Sequence, residues 1–152
     1  MKSPAHTVSF VALCMSLALF AGISTSRAAD ADQRNREFQK AEALYLSGRL
    51  QESSTAFAEL TRKYPGDARV WLKYGNTLTK QMSFDEAAKA FETAIRLDAT
   101  QGAAALNLAL VRLAQAQASL EVAVARLAPE APEHAQAEGI RSQLNTLLGD
   151  SH

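Results

Sequence analysis

Cysteine, glycine and proline are all scarce in this chain, at one, seven and four among 152 residues. The lone Cys14 permits no intramolecular disulfide and no thiolate metal cluster. So few glycines and prolines exclude the collagen-like and low-complexity classes. Excess charge is missing too: 16 Lys plus Arg face 16 Asp plus Glu, which argues against a general nucleic-acid binder. Catalytic signatures are also absent, with no HExxH, no Walker loop, no GxSxG and no glycine-rich turn entering a helix. His134 and His152 stand at no spacing that would pair them as ligands, and helix capping explains Asp85 and Glu86 before acid–base chemistry does. No enzyme, no cofactor and no metal site is expected.

What is present begins with an uncharged stretch from Ser3 to Ser26, preceded by Lys2. Lys2 reads as a positive n-region, Val8 to Ile23 as an apolar h-region, and Ser26-Arg27-Ala28 as a small-residue cleavage site. This pattern predicts a signal peptide over residues 1–28, cleaved after Ala28, and an exported, periplasmic protein. Sixteen apolar residues fall short of the roughly 20 that a transmembrane helix needs. No stable membrane span is expected after cleavage. Lipidation of Cys14 is excluded because Leu13 precedes it in mid-run. Cleavage would leave 124 residues with 14 cations against 16 anions, opening on a short linker over residues 29–33.

The rest of the chain is organised by a repeat. Residues 34–67 align with 68–101 at an offset of 34 without a gap: Leu44 meets Leu78, Glu52 meets Glu86, Phe57 meets Phe91 and Arg62 meets Arg96. Each unit reads as two helices. In the second, Asp67 is the expected N-cap, and Val70, Trp71, Tyr74, Leu78 and Met82 recur at three- and four-residue steps along one face. Ser83 to Glu86 fits a capping box opening the next helix, whose apolar face is Phe84, Ala87, Ala88, Phe91, Ala94 and Ile95. Ser47-Gly48 makes the equivalent turn in the first unit.

On these residues the segment 68–101 resembles a tetratricopeptide repeat (TPR). The family's Trp, Leu, Gly, Tyr, Ala, Phe, Ala, Pro signature falls on Trp71, Tyr74, Gly75, Leu78, Ala87, Phe91, Ala94 and Ala99, and five of the eight are identical. Only Ala99 loses a feature, the proline helix stop. The first repeat, 34–67, is more divergent, with Glu37 in the tryptophan slot and Ser53 in the place of Ala87, although Pro65 is retained. A third unit, 102–128, starts with Leu108 and Ala109 in the Leu-Gly slots and then degenerates. Fourteen alanines lie between Ala99 and Ala137, so either one long helix or two with a break near Gln117 is expected there. Pro129 and Pro132 end it, and a capping helix follows over 132–148 with a stripe of Ile140, Leu144, Leu147 and Leu148. The expected fold is an all-α, TPR-type α-solenoid of antiparallel pairs, about six helices in all.

The resemblance implies a concave groove lined by the first helix of each repeat, and a protein or peptide partner within it. The groove positions hold Glu42 and Tyr45, with Phe38, in the first repeat. They hold Arg69, Leu72, Lys73, Asn76, Thr79 and Lys80 in the second, and Asn107, with Leu106, in the third. Asn76 and Asn107 fill the two asparagine slots of the family's carboxylate clamp, but Leu72 stands where the clamp has its first lysine, so that ligand is not expected. Exported members of the family serve pilus, secretion and other envelope assembly systems, and a non-catalytic scaffold of that kind is the expected function. The alternative is homo-oligomerisation through the alanine-rich C-terminal half. Nucleic acid is not expected as a partner.

Overall fold

A computed structural model describes the backbone of residues 7–149 and the side chains of residues 27–146. Expectations resting on Lys2, on Cys14 and its apolar neighbours as side chains, on Leu147 and Leu148, and on His152 lie outside the described residues. Among the described residues there are six helices and no strand: α1 Thr7–Leu46, α2 Leu50–Lys63, α3 Ala68–Lys80, α4 Phe84–Leu97, α5 Gly102–Arg126 and α6 Pro132–Gly149. The chain divides into two units, Met1–Lys40 and Ala41–His152. The first is the leading part of α1, where Gln33 Nε2 donates to Glu37 Oε1 at 3.0 Å one turn on. The second holds the end of α1 and the remaining helices, each of α2 to α5 packing on the next and α3 also touching α5.

The core of the second unit is assembled from small side chains around a few large ones. Phe57, Phe91, Val70 and Val111 are almost wholly buried, together with Ala41, Ala87, Ala88, Ala90, Ala94 and Ala104. Trp71, Leu72, Tyr74, Phe84, Ile95 and Leu108 pack against the part of this core formed by Leu78, Phe91, Val111 and the alanines of α4 and α5. Burying one phenylalanine contributes roughly 1.5–3 kcal/mol, so the two buried rings are its largest single elements. The closest approach is at Gly75: a Cβ built there would lie 2.6 Å from Phe91 Cε1 and 2.7 Å from Cδ1. Two helices can cross at that distance only where one of them has no side chain.

The turns follow the repeat with local substitutions. Gly48 has φ 76°, and Met82, its counterpart 34 residues on, has φ 61°. A left-handed residue is needed at this α-turn-α junction, and methionine adopts it there despite the steric cost of a Cβ. Asp67 caps α3 by accepting from the Arg69 backbone N–H at 3.1 Å. The capping box expected at Ser83 is not formed: its backbone, at ψ 66°, is not extended, and no side-chain hydrogen bond caps α4. Where proline was lost at Ala99, Asp98 stops α4 instead. Its carboxylate accepts from Thr100 N–H at 3.0 Å and Oγ1 at 2.6 Å, and these bonds hold the carboxyl below its ordinary titration range.

The buried Ser53 explains how the divergent first repeat packs. Its Oγ donates to the Ala41 carbonyl at 3.1 Å, satisfying a hydroxyl that is wholly out of solvent. The third unit is a single 25-residue helix, without a break at Gln117. By length and composition alone α5 could cross a bilayer. Its Ala104 and Val111 are buried in the cluster shared with α3 and α4, and Arg112 pairs with Glu92 of α4 at 2.6 Å. In α6 the buried residues are Ala137 and Leu144, two turns apart, whereas Ile140 is exposed and does not belong to the stripe expected for it.

Two outcomes test this account. Gly75→Ala is expected to destabilise the fold by about 1–3 kcal/mol in urea titration, because the methyl enters the Phe91 ring. Gly139→Ala, in open space on α6, is expected to stabilise it by up to about 1 kcal/mol. Equal effects at both sites would refute the close-approach argument. For Asp98, a folded carboxyl titrating below its unfolded value contributes stability that is complete above about pH 4 and lost as pH falls through the folded value. The melting-point gap between the native chain and Asp98→Ala should therefore be full at pH 7 and shrink in acid. A gap that does not change with pH would show that Asp98 does not act through its charge.

Candidate functional site

The residues on the outward face of α3 meet the end of α1 and the first half of α5. Tyr45, Asn76, Thr79, Lys80, Asn107 and Leu110 line one open cleft of about 310 Å³. Asn76, Thr79 and Lys80 are brought together by helical spacing, since residues three and four apart share a face. The same helix turns Gly75 and Leu78 into the core. Thr79 Oγ1 donates to the Gly75 carbonyl at 2.9 Å.

The polar groups of the cleft are ordered against each other. Asn107 Nδ2 donates to Asn76 Oδ1 at 2.7 Å, joining α5 to α3. One amide pair uses one donor and one acceptor, so the Asn76 amino group and the Asn107 carbonyl keep hydrogen-bonding capacity for a further group. Lys80 lies with its ammonium 5.4 Å from the centroid of the Tyr45 ring, a cation–π contact that tethers it to the wall contributed by α1. Below them Lys73 forms an ion pair with Glu42, both side chains about one-third exposed.

Of the residues expected from sequence, five lie in this cleft: Tyr45, Asn76, Thr79, Lys80 and Asn107. Glu42 and Lys73 pair with one another beside it. Leu72 is packed against the core cluster, and Arg69 is held at the N-terminus of α3 by Asp67 at 2.8 Å. Leu110 was missed. The repeat register, carried one step further, would have found it, because Leu110 stands 34 residues after Asn76. The signature residues Gly75, Leu78, Ala87, Phe91 and Ala94 are buried, and Trp71 and Tyr74 are half-buried at the core's edge. The Trp71 indole N–H donates to the Pro65 carbonyl at 2.9 Å, tying the inter-repeat turn to α3. Among the described residues no three His, Cys, Asp or Glu side chains come together as metal ligands.

The architecture is that of known helical-repeat proteins. Solved structures of the Yersinia enterocolitica type III secretion translocator chaperone SycD are similar to this chain, each with a TM-score of 0.54. One is 18% identical and covers 78% of this chain and 88% of its own. A second, an alternative dimer, is 20% identical over 80% and 96%. A third, in complex with a peptide of the translocator YopD, is 20% identical over 78% and 93%. At that identity the likeness establishes the all-helical, TPR-like repeat fold. No family model and no curated protein matches the chain.

These neighbours correct one expectation. A periplasmic protein, cleaved after Ala28, was expected from the N-terminal pattern, whereas the structural neighbours are type III secretion chaperones. In the structure α1 runs through Ala28 and through residues 29–33 as continuous helix, where a short linker was expected. An apolar, small-residue run has the same composition whether it leads to a cleavage site or continues as helix.

Glu42 and Lys73 supply the test of the site's electrostatics. A double-mutant cycle of Glu42→Gln and Lys73→Met should give a coupling of about 0.5–1 kcal/mol in thermal or urea unfolding, falling as salt is raised. A coupling of zero at low salt would mean that the pair does not help hold α1 against α3.

Proposed function

We propose that this chain is a non-catalytic TPR-type scaffold that binds a peptide or protein segment in the cleft between α1, α3 and α5, and that it serves a secretion or assembly process. In this reading residues 34–67 and 68–101 are the two repeats, 102–128 a degenerate third, and 132–148 the helix that closes the stack. The observation that carries it is the convergence of Tyr45, Asn76, Thr79, Lys80, Asn107 and Leu110 on one open cleft. Amide groups that can address a backbone stand there beside an aromatic face and an exposed leucine, the mixture by which helical-repeat grooves hold peptide segments. The SycD structure with a translocator peptide supports the same use of the architecture.

A second reading is favoured by a separate observation. Leu106, Leu110, Leu113 and Val122 of α5 are all exposed, which suits pairing with another copy. SycD also occurs as an alternative dimer.

The experiment that separates them captures partners on the immobilised native chain and on an Asn76→Ala/Lys80→Ala variant of unchanged melting point, with the mass of each measured over a range of concentrations. Recovery by the native chain and loss by the variant is the result expected for the groove. Equal recovery would place the binding surface elsewhere, and a mass that doubles with concentration would favour self-association.

A further inference from the structure

The two walls of the cleft differ in chemistry. On α5, Leu106, Leu110 and Leu113 follow one another at four and three residues and so share a face, and they are 61%, 49% and 37% exposed. The three form one exposed apolar row, and one of them, Leu110, lines the cleft directly. Of the three cations on α3, Lys80 alone lines the cleft. Lys73 is neutralised by Glu42, and Arg69 by Asp67. Lys80 forms no ion pair among the described residues and lies over the Tyr45 ring, and no carboxylate lines the cleft.

We propose that the occupant of the cleft is an acidic amphipathic peptide, whose apolar side chains lie along Leu106, Leu110 and Leu113 while one carboxylate meets Lys80. This rests on the groove reading above and adds to it the class of segment taken. An ammonium held against an aromatic face, with its neighbours' charges already satisfied, has a defined position and no internal anion to displace, so a ligand carboxylate gains the full pairing. An exposed leucine row accepts apolar side chains at helical or near-helical spacing. The paired asparagines between the two walls are left to bond the backbone of the segment. A purely apolar ligand would leave Lys80 unused, and a purely acidic one would leave the leucine row in water.

The test uses the full chain and an array of short synthetic peptides, each with two leucines three or four positions apart and with Asp, Asn or Lys scanned through the remaining positions. The best Asp peptide should bind roughly ten-fold more tightly than its Lys counterpart, with the preference shrinking at high salt. Lys80→Glu should reverse that order, while Leu110→Asp and, separately, Leu106→Asp should abolish binding of every member, all three variants melting like the native chain. If Lys80→Glu leaves the order unchanged while Leu110→Asp still abolishes binding, the groove reading stands and the acidic assignment falls. Binding that survives both leucine variants places the peptides outside the cleft and overturns both. Binding by no peptide, together with a dimer that Leu110→Asp converts to monomer, overturns the proposal in favour of a second copy as the occupant.

Discussion

Helices α3 and α4 cross where residue 75 has no side chain, and most of what the molecule presents follows from that crossing. Phe91 fills the space a Cβ would have taken, and Ala87, Ala88 and Ala94 keep the rest of α4 shallow enough for the ring to be enclosed completely. The seating of α3 then fixes its rotation. With Gly75 and Leu78 turned inward, Asn76, Thr79 and Lys80 have one direction left, towards the ends of α1 and α5. The polar cleft is therefore a product of the apolar contact behind it, and the two cannot be altered independently.

The first repeat reaches the same arrangement by another chemistry. Ser53 occupies the place of Ala87, and its hydroxyl is paid for by the Ala41 carbonyl, in the residue that corresponds to Gly75. Gly75 and Ala87 of one unit thus correspond to Ala41 and Ser53 of the other. The junction shows similar tolerance. Gly48 and Met82 take the same left-handed backbone, and the methionine does so with its side chain largely in solvent, where nothing else constrains it. Repeat architecture conserves the backbone requirement at each position and lets the side chain vary as long as that requirement is met.

Much of the fold was legible because its signals are periodic and local. The 34-residue offset located the helices and the buried faces, and the groove register named five of the six residues lining the cleft. What was not legible depended on geometry that composition does not carry. The alanine-rich segment gave no turn signal because alanine suits one long helix and two short ones equally, and packing decided for one. Ser83 had the residue type of a cap without the backbone angle that a cap needs. Ile140 matched the apolar spacing of α6, but Ala137 and Leu144 lie closer to the buried line.

The length of α5 sets the mechanical character of the whole. It is almost twice as long as α3 or α4, yet its buried residues, Ala104 and Val111, both lie in its first half. Beyond Val111 the helix is opposed by α6, whose buried contribution is Ala137 and Leu144, with one side-chain bridge from Gln117 to Asn145. In a linear stack each element is held only by its neighbours, so the least-buried end opens first. Amide exchange should accordingly be graded along the chain, slowest around Phe91 and fastest in the α5–α6 hairpin, which can fray and re-form while the cleft upstream of it stays intact.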